Sequence, residues 1–166
     1  MAITAAQVNE LRKKTGAGMM DCKKALVESD GDIENAIDFL RKKGQKVAAK
    51  RGDNDATEGL IYATSSEDGK TGVLLQLNCE TDFVAKNATY QAYVAEVAEK
   101  ALATAGNGDV TAALNAAEEE NLKAKIAVIG ENMKIPKAVS WESAGAVSSY
   151  IHAAGKVGVL VDVEGD

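Results

Sequence analysis

The residue types best suited to chemistry are few in this chain and poorly placed for the usual devices. Cys22 and Cys79 lie far apart and form no Cys-x-x-Cys pair, and His152 is the single histidine. That set assembles no ordinary zinc site. One stretch does bring polar, charged and aromatic groups together: Asn78-Cys79-Glu80-Thr81-Asp82-Phe83-Val84-Ala85-Lys86. Val73, Leu75 and Leu77 alternate into it and a helical pattern follows, so a strand ends near Asn78 and a helix begins a few residues later. Phe83, one of two phenylalanines, sits beside an acid at that junction. Two uses are open to it: a staple folded under the next helix, or a probe held outward. The residues alone favour the staple.

The elements that position this junction follow from composition and pattern. With 166 residues and 46% apolar side chains, the chain can bury a core, although only 4% are aromatic. Residues 1–52 carry 11 basic and 7 acidic side chains, whereas residues 53–166 carry 8 and 18. The basic part suits an acidic partner, and the acidic part argues against nucleic acid as the ligand of the whole chain. The amino terminus is polar and no apolar run approaches the length of a membrane span, so a cytoplasmic protein with reduced thiols is expected.

Three short helices are expected in residues 1–44. Thr4 and Gln7 form a capping box that starts the first at Ala5, with Val8 and Leu11 inward and Gly16 at its end. The second runs from Met19 to Ser29 with Cys22, Ala25 and Leu26 inward. Gly31 closes it and opens the third, with Glu34 at the capping-box spacing. Ile33, Ala36, Ile37 and Leu40 line that helix, and Lys42-Lys43-Gly44 end it. Met19 and Met20 are adjacent, so they cannot both enter one small core. At least one is expected at the surface beside the Gly16–Gly18 turn. Gly16-x-Gly18 lacks the preceding strand and the lysine-serine ending of a phosphate loop.

Residues 45–57 read as a basic, partly helical linker that Gly52-Asp53-Asn54-Asp55 breaks. Its cations have no interleaved aromatics to stack bases, so direct nucleic-acid binding is not expected. In residues 58–166, Leu60–Thr64 and Gly72–Leu77 form a hairpin across Ser66–Lys70. Asn87 caps a helix over 88–104, with Tyr90, Val94, Val97 and Ala101 on one face. Two shorter helical segments are expected near Val110–Ala116 and Glu118–Ile129, with Glu118-Glu119-Glu120 complementing the dipole at the start of the second. Met133–Trp141 is extended, with Pro136 at an edge or bulge. Val147–His152 and Val157–Val163 make a second hairpin. The fold class is α+β.

Three segments resemble the bacterial elongation factor Ts family. They are Leu11-Arg12-Lys13-Lys14-Thr15-Gly16-Ala17-Gly18-Met19-Met20-Asp21-Cys22-Lys23-Lys24-Ala25-Leu26, the Asn78–Lys86 stretch, and Ser149-Tyr150-Ile151-His152 followed by Gly158-Val159-Leu160-Val161. The resemblance implies an amino-terminal bundle similar to ubiquitin-associated domains, followed by an antiparallel sheet with helices packed on it. It implies a guanine-nucleotide exchange factor, not an enzyme, that needs no cofactor or metal of its own. The implied partner is elongation factor Tu, both GDP-bound and nucleotide-free. Arg12, Met19 and Met20, with Leu11 and Lys23, would dock on its nucleotide domain. Thr81, Asp82, Phe83 and Val84 would disturb its magnesium site, and His152 would lie near the same partner surface. This shifts the expectation for Phe83 from staple to wedge. Full-length members continue past the position of Asp166 with a second core subdomain, which points to a fragment, expected to be monomeric. A ubiquitin-associated-like binding module with no exchange role is the alternative.

Overall fold

A computed structural model describes residues 3–104 and 106–165. The chain divides into two compact units, Met1–Asp53 with Glu120–Gly130 and Asn54–Glu119 with Glu131–Asp166. The architecture is α+β: a helical amino-terminal unit, and antiparallel sheet with helices in the other.

In the first unit, α1 (Ala5–Thr15) begins with the expected capping box. The Gln7 N–H donates to Thr4 Oγ1 at 3.3 Å, and the Thr4 N–H donates to Gln7 Oε1 at 3.0 Å. Gly16 ends the helix at φ +69°, its N–H reaching the Arg12 carbonyl at 2.8 Å. Helix α2 (Met19–Glu28) buries Cys22, Ala25 and Leu26, and these meet Val8, Leu11 and Ala36 in a shared core. Helix α3 (Ile33–Arg51) is capped by Asp32, whose carboxylate accepts from the Asn35 N–H at 2.8 Å; Gly31 is not its cap. An acid satisfies an orphan amide, which glycine cannot do.

The expected end of α3 at Gly44 is wrong: the helix continues for another seven residues, to Arg51. Gly44 is buried, and a Cβ there would stand 3.3 Å from that of Ala127. The glycine marks a close approach of two helices, and packing overrides its poor helix propensity. Gln45 and Arg41 both reach Glu120, at 3.0 and 3.7 Å. Within the same unit, Arg41 and Lys42 also pair with Asp38, and Lys43 pairs with Asp21.

In the second unit, β1 (Glu58–Ser65) and β2 (Thr71–Cys79) form the expected hairpin. With β3 (Gly108–Asp109) and β4 (Met133–Glu142) they make an antiparallel sheet of order β1-β2-β4-β3. Gln76 pairs with Lys137 but Asn78 with Lys134, so the ladder shifts register around Pro136. A residue without an N–H is tolerated at such a bulge. Between β2 and β4 the chain forms α4 (Asp82–Ala85), α5 (Ala88–Thr104) and α6 (Thr111–Ile129). Asn87 caps α5, accepting from Thr89 and Tyr90, and Tyr90, Tyr93, Val94, Val97 and Ala101 are buried as α5 packs on β1 and β2.

Helix α6 is one element, not two, and its acidic triplet lies in the middle. Glu118 is therefore no dipole partner. It is buried, accepts from the Tyr93 hydroxyl at 3.3 Å and pairs with Lys100 at 3.0 Å. Asp109 serves the helix start instead, through the Thr111 N–H at 3.0 Å. The second hairpin, β5 (Ala146–His152) with β6 (Val157–Val163), is a separate two-stranded sheet. Val147 and Leu160 press into the space over Gly72, whose Cβ would fall 2.4 Å from Val147. Tyr150, Val157, Val159, Val161 and Val163 on the other face are exposed. Among the described residues, no helix is long and apolar enough to cross a membrane.

Candidate functional site

The turn between β2 and α5 is built to present one side chain. Thr81 is the N-cap of α4, its hydroxyl oxygen accepting from the Val84 N–H at 3.4 Å. The helix lasts a single turn, which seldom holds by itself, so neighbours must support it. The Cys79 thiol donates to the Thr81 carbonyl at 3.2 Å, and burial pushes that thiol's pKa up, which keeps it a donor. Glu131 accepts from the backbone of Glu80 and Thr81 and from the Thr81 hydroxyl. Ala85 is buried beneath the turn, whereas Phe83 is 82% exposed.

That exposure excludes the staple. The cap belongs to Thr81 and not to Asp82, the residue before Phe83. Asp82 pairs with Lys86 at 2.8 Å, and the Lys86 ammonium holds its carboxyl below the ordinary carboxylate range. Val84 is half-buried.

In the helical unit, a second exposed group gathers on α2. Met19 is 56% and Met20 75% exposed, so both methionines are at the surface, with Lys23 and Arg12 also exposed. A thioether pair free of the core is an adaptable contact surface. Leu11 does not belong to this group. It is fully buried among Val8, Cys22, Ala25 and Leu26, as its place on the inward stripe of α1 dictates. The sequence reading missed Val27, which is 55% exposed one and two turns beyond Lys23 and Met20. The spacing Met20, Lys23, Val27 was the available signal. His152 is exposed at the end of β5, its Nδ1 lying 2.9 Å from the Tyr150 hydroxyl.

Residues 80–166 match the family model described as Elongation factor TS. The chain is 51% identical to elongation factor Ts of Trichlorobacter lovleyi over 178 residues, covering 100% of this chain and 56% of that protein. The elongation factor Ts of Nostoc is 46% identical over 170 residues, with 97% of this chain and 54% of the relative covered. That of Arthrospira platensis is 46% identical over 169 residues, with 99% and 68% covered. The chain belongs to the elongation factor Ts family. It spans little more than half the length of the first two of these relatives.

Within this elongation factor Ts chain, the two exposed groups lie one in each compact unit: Arg12, Met19, Met20, Lys23 and Val27 in the helical one, Thr81–Val84 in the sheet-containing one. Among the described residues, no three His, Cys, Asp or Glu side chains are grouped to hold a metal ion. What the groups can do is contact: a flexible apolar pair flanked by cations, and an aromatic ring on a braced turn. Sequence reasoning also missed Glu131. It lies 50 positions from Thr81, and no local spacing connects them.

Proposed function

We propose that this chain is the partner-docking and wedge-bearing part of a guanine-nucleotide exchange factor acting on elongation factor Tu in the cytoplasm. Family membership supports the partner. The observation that carries the mechanism is Phe83, an aromatic ring 82% exposed at the head of a one-turn helix. Exposing a large ring in isolation contributes nothing to folding, whereas a ring held rigidly outward is suited to insertion into a partner.

In this reading, Met19 and Met20 anchor the helical unit on the nucleotide domain, with Arg12 and Lys23 as charged flanks and His152 as a further contact. Phe83 enters near the magnesium and phosphate site. GDP and its magnesium are held by mutually dependent contacts, so displacing one weakens the others. A protein that binds the open partner better than the GDP-bound partner necessarily lowers GDP affinity, by reciprocity of coupling. No covalent step is involved, and the chain acts without being an enzyme in the strict sense.

The test is stopped-flow release of fluorescent GDP from elongation factor Tu on mixing with the chain, alongside titrations with ubiquitin and RNA. Accelerated release that Phe83→Ala abolishes in a folded protein supports the reading. Binding to ubiquitin or RNA with no effect on GDP release would sink it.

A further inference from the structure

The turn that presents Phe83 is held by a carboxylate from a remote part of the chain. Glu131 Oε2 accepts the backbone N–H of Glu80 at 3.1 Å and that of Thr81 at 3.0 Å. Its Oε1 accepts the Thr81 hydroxyl at 2.6 Å. The same hydroxyl oxygen caps the one-turn helix through the Val84 N–H. A continuous line of hydrogen bonds therefore runs from Glu131 through Thr81 to the segment that carries Phe83.

The next residue completes the clamp from the other side. The Asn132 N–H donates to Glu80 Oε1 at 2.6 Å, and its side-chain amide donates to the Asn54 carbonyl at 2.7 Å. The Asn54 amide in turn donates to Glu80 Oε1 at 3.1 Å. Glu80 is gripped by backbone and side chain, and Thr81 by backbone and hydroxyl. Bonds to an ionised acceptor are roughly twice as strong as neutral ones. Asp82 takes no part, since its carboxylate faces Lys86.

We propose that Glu131 is a positioning residue for nucleotide release: its carboxylate fixes the direction in which Phe83 is presented. The inference rests on the reading of Phe83 as the wedge. Without Glu131, two N–H groups ahead of a one-turn helix lose their acceptor and the cap loses its support. Phe83 then remains exposed but samples several directions, and a small misplacement is enough to lower a rate that depends on geometry. Docking through the helical unit is untouched, so release falls while binding to the empty partner stays.

The experiment measures stimulated GDP release and affinity for nucleotide-free elongation factor Tu with the wild-type chain, E131A, E131Q, F83A and E131A/F83A. E131A is expected to slow release on the order of tenfold, the factor that corresponds to losing about one charge-assisted contact set. E131Q keeps an acceptor for the two backbone N–H groups but offers a donor to Thr81, so it falls between. The double variant is no slower than F83A, because Glu131 acts through Phe83. Amide hydrogen exchange on the free variant, faster at Glu80, Thr81 and Val84 but unchanged at Leu75, distinguishes local loosening from general destabilisation; E131Q serves the comparison if E131A does not fold. F83A slowed while both Glu131 variants match the wild type overturns the strut alone. Faster exchange throughout β2, or an E131A loss that adds to that of F83A, also overturns it. A wild-type chain that does not accelerate release, or F83A equal to wild type, overturns the wedge and the role of Glu131 with it.

Discussion

The Tyr90 hydroxyl donates to the Leu77 carbonyl at 2.6 Å, tying the first turn of α5 to the last residues of β2. The Thr81–Val84 turn that carries Phe83 lies between those two points. Both ends of the turn are therefore fixed to one rigid piece, and Gly59 is part of the arrangement. At φ +136° it passes so close that a Cβ would fall 2.2 Å from the Leu77 oxygen and 3.0 Å from the Tyr90 hydroxyl. Burial pushes the Tyr90 phenol's pKa well up, so it remains a donor at any working pH.

Tyr90→Phe keeps the ring and removes the hydroxyl that makes that bond. It is expected to lower stability by about 1–2 kcal/mol, the cost of leaving a buried carbonyl short of a partner. Urea denaturation at neutral pH checks this, and an unchanged midpoint would show that the clamp contributes nothing.

Gly44→Leu distinguishes a helix-packing glycine from a helix-ending one. The nearest atoms to a Cβ at Gly44 are Ala127 Cβ at 3.3 Å and the Lys123 carbonyl at 3.8 Å, leaving no room for a branched side chain. A loss of roughly 1–3 kcal/mol is expected from overpacking. Were the residue at an open helix end, the same change would be neutral or stabilising, and that result would contradict the packing.

The contrast with Gly44 explains what was legible in the sequence. Helix starts at Ala5 and Ala88 were readable because their caps, Thr4 with Gln7 and Asn87, act within three residues. Strand alternation at Val73, Leu75 and Leu77 was readable because one face is buried. Gly44 misled because its reason is Ala127, far along the chain, and a glycine after two lysines looks locally like a stop. Glu118 misled in the same way: three acids resemble a helix start unless the Tyr93 and Lys100 side chains are known to meet the first. At the candidate site the residues of the turn were readable, but its bracing by Glu131, 50 positions from Thr81, is linked to it by no local pattern.

Leu11 and the methionines make opposite predictions. Leu11→Ala removes a fully buried side chain from the helical core and is expected to cost about 2–5 kcal/mol of stability. Met19→Ala with Met20→Ala changes stability by no more than about 0.5 kcal/mol each, because both side chains are exposed. The pair is expected to weaken binding to elongation factor Tu by roughly 1–3 kcal/mol. Thermal melts and partner titrations on the same preparations separate the two effects.

Acid sensitivity follows from Asp109. Its carboxylate pairs with Lys137 and accepts from Thr111, and these hold its pKa below the ordinary carboxylate range in the folded state. A depressed folded-state pKa means that the unfolded chain binds a proton first as pH falls, so the contribution is present at neutral pH and lost through the acidic range. Asp109→Asn keeps an oxygen for Thr111 but loses the charge pair. The wild type is expected to be the more stable at pH 7, and the gap to close as pH drops below about 4. A gap that persists at low pH would assign the effect to shape instead of charge.

Asp82 and Lys86 settle how the acid beside Phe83 acts. Their contact spans one helical turn at the surface, and the cap belongs to Thr81, so the pair is too weakly placed to orient the ring. If Asp82 matters to nucleotide release, its carboxylate must meet the partner directly. Asp82→Asn, which keeps shape and removes charge, is then expected to slow stimulated GDP release, whereas Lys86→Ala leaves the rate unchanged or raises it by freeing the carboxylate. Added salt is expected to shrink the difference between wild type and Asp82→Asn, since both groups are solvent-accessible. Equal losses from Asp82→Asn and Lys86→Ala would instead make their ion pair a brace for the turn.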